Sequence, residues 1–255
     1  MVSHVKNHHF KVLWLQKNYP TFAFQIFNIL SSIMQIPKEA TRKVLLETAR
    51  EAFFKKGFKA VSMRELSKKT GICLSNIYKY YPSKEDLLEE VLSPLLKAMN
   101  DVLEEHDRSE NFALNSFASE EYHRNSLREM MTLVVRYREE LRLLFFSVQN
   151  SRFKDYWERW IERSTAMGMD YMREMGRLHP QIHTDISPFF MYFSCSGWIN
   201  MMREVVLHKE LSSSDIERFI DEYIKFSSGG WIKLMNIERK MIPDEAESSN
   251  SNDSV

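Results

Sequence analysis

Apolar residues recur at spacings of three and four along most of the chain from Pro37 to Trp231, the period of a helix that buries one face. Val44, Leu45, Leu46, Ala49, Ala52 and Phe53 follow that period and Gly57 comes next, which predicts a first helix from about Pro37 with a left-handed glycine stop. Ser62-Met-Arg-Glu65 has the form of a capping box, in which the Ser hydroxyl accepts from the third backbone N–H and the Glu reaches back. It opens a second helix of about two turns that stops at Gly71. A third short pattern runs through Leu74, Ile77, Tyr78 and Tyr81. Two short helices joined by a brief turn containing glycine predict a helix-turn-helix. Ser83 then caps a fourth helix with Asp86 three positions on, running to about Asp107 with a bend at Pro94.

Arg108 to Glu121 is polar and helix-poor, a hinge between this head and a body of further helices. In the body, Leu127 to Val135 and Leu141 to Val148 are apolar, and Tyr156, Trp157, Trp160 and Ile161 continue at helical spacing towards Met175. Gly176 to Thr184 reads as a loop. Ser187-Pro188 places a cap before a proline at the first helical position, launching a long helix through Phe189, Phe190, Phe193, Ile199, Met202 and Val206. Ser214-Asp-Ile-Glu217 reads as a third capping box, opening a last helix through Phe219, Ile220, Tyr223, Ile224, Phe226 and Trp231, its final turns weakened by Gly229-Gly230. No strand pattern or repeat is present, so the expected fold is all-α. The expected divisions are an atypical extension at 1–34, a helix-turn-helix domain at 35–84, a helical domain at 85–242 and a disordered tail at 243–255 rich in Ser, Asn, Asp and Glu.

Composition alters this picture in three ways. Thirty-five Lys+Arg balance thirty-five Asp+Glu in 255 residues, but residues 35–84 hold twelve basic and four acidic residues, while 85–255 hold twenty and thirty-one. A basic head on an acidic body suits a polyanion ligand for the head, against the plainer reading of uneven surface charge. Cys73 and Cys195 stand too far apart in the sequence for a CxxC site or a disulfide framework, in keeping with a reducing cytoplasm. The apolar run from Phe22 to Ile33 is broken by Gln25, Asn28, Ser31 and Ser32 and falls short of the ~20 residues of a spanning helix, so no membrane segment is expected. Residues 1–34 show no clear helical period. A secretory signal is one reading of them, but its charged region would be long and no small-residue cleavage site follows Ile33. The favoured expectation is that translation starts at Met34, which leaves His8 and His9 with no role as metal ligands.

Residues 38–88, with Gly57-Phe58, Ser62, MRELSKKTG and ICLSNIYKYYPSKEDL, resemble the amino-terminal domain of TetR-type (tetracycline-repressor-like, TetR/AcrR) bacterial transcriptional regulators. Cys73 stands where that pattern usually has a capping Ser, and Ser75 where it usually has Gly. The resemblance implies a three-helix head joined by a long fourth helix to a helical ligand-binding and dimerisation bundle. It further implies that the third helix reads a double-stranded DNA operator in the major groove, where Asn pairs with adenine edges and Lys reaches guanine. Ser75, Asn76 and Lys79 are the base-reading candidates. Tyr78 follows them, Tyr80 would offer a hydroxyl to a phosphate, and Tyr81 is expected in the core. Lys84 resembles the family lysine that meets a phosphate at a helix start, and Thr41, Arg42, Ser62 and Arg64 would clamp the flanking backbone. For each of these side chains the plain alternative is a solvated or core residue.

The chain's fifteen Met and thirty-two aromatic residues include material in the body for an adaptable pocket taking a small apolar or amphipathic ligand. Phe145, Phe146, Trp157, Trp160, Met167 and Met191 are the candidate walls, with ordinary core as the plain reading. By resemblance, the last two long helices, about 188–207 and 215–234, pair across a two-fold axis in a homodimer. The function expected is a cytoplasmic, ligand-responsive repressor of a palindromic operator, without cofactor, metal or catalytic residues. The competing expectation is a DNA-bound factor whose body docks another protein. An enzyme finds little support: His179 and His183 have a metal-pair spacing, but Pro180 lies between them, and neither a phosphate-binding Gly-rich loop nor G-x-S-x-G is present.

Overall fold

Helix boundaries fall where the backbone can be capped. The computed structural model describes residues 20–106, 114 and 119–238, and every regular element among them is an α-helix. The chain runs through α1 (Pro20–Lys56), α2 (Met63–Thr70), α3 (Leu74–Tyr80), α4 (Lys84–His106), α5 (Glu120–Arg136), α6 (Arg138–Phe146), α7 (Tyr156–Leu178), α8 (Pro188–Leu207) and α9 (Ser213–Leu234). The fold is that of an N-terminal helix-turn-helix domain followed by a helical C-terminal domain. The expected tail at 243–255, most of the expected hinge, and His8 and His9 lie outside the described residues.

Three expectations change. The first helix does not start near Pro37: it begins at Pro20 and takes in residues read as having no helical period. Once a helix exists, each added residue gains a hydrogen bond without a new nucleus, so a weakly patterned segment joins its neighbour. Within α1, Leu45, Ala49, Ala52 and Phe53 form the buried row, whereas Val44 is 47% exposed. The last helix is capped two residues earlier than Ser214. The Ser212 hydroxyl accepts from the Asp215 N–H at 3.2 Å and the Asp215 carboxylate accepts from the Ser212 N–H at 2.9 Å, a reciprocal box two residues upstream of the expected one. Glu217 is instead drawn to Arg128 of α5, which donates to both its oxygens at 3.0 and 2.9 Å. Finally, α7 continues through Gly176 to Leu178 before the loop begins.

The other caps fall where expected. Ser62 accepts from the Glu65 N–H at 3.1 Å, Ser83 from Asp86 at 3.2 Å and Ser187 from Phe190 at 3.2 Å with Pro188 behind it. Gly57 (φ +76°) and Gly71 (φ +70°) end α1 and α2 in the left-handed region, which a Cβ penalises.

The chain divides into two compact units, one of residues 1–51 and 62–87, the other of 52–61 and 88–255. In the first, Leu45, Ala49, Met63, Leu66, Ile77, Tyr81 and Leu87 are buried. In the second, one cluster gathers Met172, Met175, Ile182, Ile186, Met191, Met235 and Ile237 around Leu114. Among the described residues, no helix is long and apolar enough to cross a membrane.

Candidate nucleic-acid interface

A seven-residue helix cannot hold itself together in water, so α3 depends on what anchors it. Its anchor is Ile77, fully buried, and its amino terminus is fixed by the Cys73 carbonyl, which accepts from the Asn76 and Ile77 N–H groups at 2.8 and 3.0 Å. The turn ahead of it is laced by hydroxyls. Thr70 Oγ1 donates to the Leu66 carbonyl at 2.8 Å and accepts from the Ile72 N–H at 3.2 Å, while Ser67 Oγ donates to the Ile72 carbonyl at 2.6 Å. With Ile77 facing inward, Ser75, Tyr78 and Lys79 are exposed and Asn76 and Tyr80 are half-exposed. This is the arrangement a groove-reading helix needs: one apolar anchor, and donors and acceptors on the other side.

Cys73 supplies no side-chain oxygen cap. Its thiol lies 3.2 Å from Ser75 Oγ, and that hydrogen bond, aided by the Ser75 N–H, holds it below the usual thiol range. Tyr81 is buried as expected, and its hydroxyl accepts from Arg42 Nε at 3.3 Å. Arg42 is thereby positioned by the residue that closes α3. Sequence reasoning missed this role of Tyr81; the available signal was that a buried phenol needs a hydrogen-bond partner, but nothing local names Arg42.

Around α3, Arg64 is exposed on α2, and Ser62, whose hydroxyl oxygen caps that helix, is exposed beside it. Thr41 is half-buried on α1. Lys84 is half-buried at the start of α4, where burial pulls its ammonium below the usual lysine range against the opposing pull of Glu85. An ammonium already partly dehydrated has less water to lose when it meets an anion.

Among the candidate pocket residues in the body, Phe145 and Trp157 lie face to face, ring centroids 4.2 Å apart and planes 12° from parallel. Trp160 follows one turn later on α7. Phe146 is exposed and tilts against Phe145 at 5.8 Å, and Met167 is half-buried. Met191 belongs to the separate Met172–Met175–Ile182 cluster, its sulfur 2.7 Å from where a Cβ on Gly168 would stand. His179 and His183 sit at the end of α7 and in the loop after it, and no group of three or more metal-ligating side chains occurs among the described residues.

Residues 45–91 match the family model described as bacterial regulatory proteins, tetR family. Over 64 residues the chain is 33% identical to the uncharacterized HTH-type transcriptional regulator YhgD of Bacillus subtilis, a stretch that spans 25% of this chain and 34% of that one. Solved structures of similar fold include a TetR/AcrR-type transcriptional regulator of Aquifex aeolicus (TM-score 0.51, 18% identity, 73% of this chain and 98% of that one). Another is NalD, the secondary repressor of the MexAB-OprM multidrug efflux pump in Pseudomonas aeruginosa (TM-score 0.54, 15% identity, 77% and 97%). The family's model thus matches the head, the matched stretch spans about a third of the Bacillus subtilis relative, and over about three quarters of its length the chain has the fold of such regulators.

Proposed function

We propose that this protein is a cytoplasmic, ligand-responsive repressor that binds a palindromic operator as a homodimer. The observation that carries the reading is α3 itself, with Ile77 buried and Ser75, Asn76, Tyr78 and Lys79 turned outward from a basic head. Asn76 and Lys79 are the base-reading pair. Tyr80, Lys84, Thr41, Arg42, Ser62 and Arg64 hold the phosphates on either side, which fixes register without reading sequence.

The dimer reading is supported by α8 and α9, whose outer surface exposes Phe189 (79%), Phe193 (64%) and Phe226 (79%). The two helices run antiparallel, Phe190 packing on Trp231 and Trp198 on Tyr223. The exposed rings therefore gather towards the amino-terminal end of α8, while a groove of about 340 Å³ lined by Met201, Val205, Leu211, Phe219 and Tyr223 lies towards its other end. Under a two-fold axis each copy's rings meet the other's groove, the self-complementarity such an interface demands. Two heads on one axis then address half-sites about 34 Å apart. Helix α4 has its first four residues in the head unit and the remainder in the body unit, so it is the covalent route by which a ligand in the body alters head spacing.

The test is binding of the full chain to the intergenic DNA upstream of its own gene, across a salt series, beside an Asn76→Ala/Lys79→Ala variant. Two lost base contacts lower specific affinity roughly thirtyfold or more and leave bulk-DNA affinity little changed. Equal binding to any DNA, unaltered in the variant, would reduce the head to an electrostatic grip and sink the operator reading. Phe226→Glu tests the dimer: a dimeric mass by light scattering should become monomeric.

A further inference from the structure

Buried donors without acceptors are rare in folded proteins, and each one calls for a cause. Two occur on one helix here. The indole N–H groups of Trp157 and Trp160 are buried and meet no acceptor among the described residues. Three residues apart on α7, they lie on the same helix face one turn from each other. The hydroxyls next along the helix turn to their own backbone, Ser164 Oγ donating to the Trp160 carbonyl at 2.8 Å and Thr165 Oγ1 to the Ile161 carbonyl at 2.7 Å. Arg163 is held by Asn100 Oδ1 at 2.8 Å.

We propose that Trp157 and Trp160 form the donor wall of a binding site for a flat aromatic molecule that carries acceptor oxygens or ring nitrogens. The inference rests on reading the body as a ligand-binding module, and names the chemistry of the ligand. An indole N–H can only donate, so the ligand must supply acceptors: a lactone or ketone carbonyl, an aryl ether, an aza-aromatic nitrogen. Its flatness follows from the surroundings, since Phe145 stacks on Trp157 at 4.2 Å and Tyr156 meets the same indole edge-on at 5.1 Å and 81°.

The experiment uses the full chain and two probes of similar bicyclic shape: coumarin, with a lactone carbonyl and ring oxygen, and naphthalene, with neither. Calorimetry gives affinity, and the indole ¹H–¹⁵N resonances of Trp157 and Trp160 report on each donor. Coumarin should bind at least tenfold more tightly than naphthalene, the worth of about one hydrogen bond, and move both indole resonances downfield. Trp157→Phe and Trp160→Phe should each weaken coumarin about tenfold while leaving naphthalene unaltered, and the resonance shifts in the unmodified chain stand as a readout if either variant fails to fold. Equal affinity for the two probes, unmoved indole resonances, or no binding of coumarin would overturn the proposal. A parallel arm adds the upstream DNA. Coumarin bound without any change in DNA affinity leaves the site standing and removes its regulatory role; DNA release by other compounds with coumarin unbound does the reverse.

Discussion

Replacing Ile77 with Ala should melt α3 and leave the body intact. Ile77 is fully buried, and the change removes three carbons from the head's core. At ~0.8 kcal/mol per buried methylene the transfer loss is about 2.4 kcal/mol, and the unfilled space raises the total to roughly 2.5–4 kcal/mol. Little else holds α3. It has seven residues, no side-chain cap at Cys73, and no packing of its own beyond this face. Because 1.4 kcal/mol is a factor of ten, native-state hydrogen exchange should show amide protection across α2 and α3 falling by about fiftyfold or more. Protection in α7, α8 and α9, which belong to the other unit, should stay within a factor of two or three. Affinity for specific DNA should fall in step, since only the folded fraction of heads presents Asn76 and Lys79. Unchanged protection in α3 would show that Ile77 is not its anchor. Protection lost alike in both units would refute the claim that the head opens as its own cooperative piece.

Three further outcomes follow from local geometry. Gly71→Ala should cost about 1 kcal/mol by urea denaturation, because a left-handed φ is strained for Ala while nothing stands within 4 Å of the new Cβ; Gly57→Ala should cost more, since Ser147 Oγ and Cβ stand 3.2 and 3.3 Å away, and equal costs would contradict this. Ser212→Ala should destabilise α9 by about 1 kcal/mol through loss of its cap and Ser214→Ala by less, an order that Ser214 as the true cap would reverse. His208, 2.5 Å from Glu210, is held above the usual histidine range by that carboxylate, so its stabilising contribution is complete at pH values below the unfolded-state pKa and is lost as pH rises through the folded one; an NMR titration should find a raised pKa that Glu210→Gln lowers.

Much of the fold was legible in local chemistry. Ser62, Ser83 and Ser187 cap helices because a short side-chain oxygen reaches an N–H two or three residues on, whatever the rest of the molecule does. Gly57 and Gly71 end helices because the backbone there adopts a conformation that any Cβ penalises. The helix-turn-helix, the helical body and the outward set Ser75, Asn76, Tyr78 and Lys79 follow from such rules together with a 3.6-residue period.

What local rules left open, contacts between distant residues decided. Residues 20–36 joined α1 although their own pattern is weak, because extending a helix is easier than starting one. Ser212 and Ser214 offered rival capping boxes, and the choice fell with Glu217 drawn to Arg128, eighty-nine positions away. The sequence placed Arg42 and Tyr81 on separate elements with separate roles; folding made one position the other. It also grouped Met191 with Trp157 and Trp160 as aromatic and sulfur-rich candidates; packing placed Met191 in the cluster with Met172 and Met175 and left two indole donors buried without acceptors among the described residues. Capping and periodicity act over a few residues and are written in the chain, whereas burial, pairing and the satisfaction of a buried polar group depend on which distant surfaces meet, and only the tertiary structure determines that.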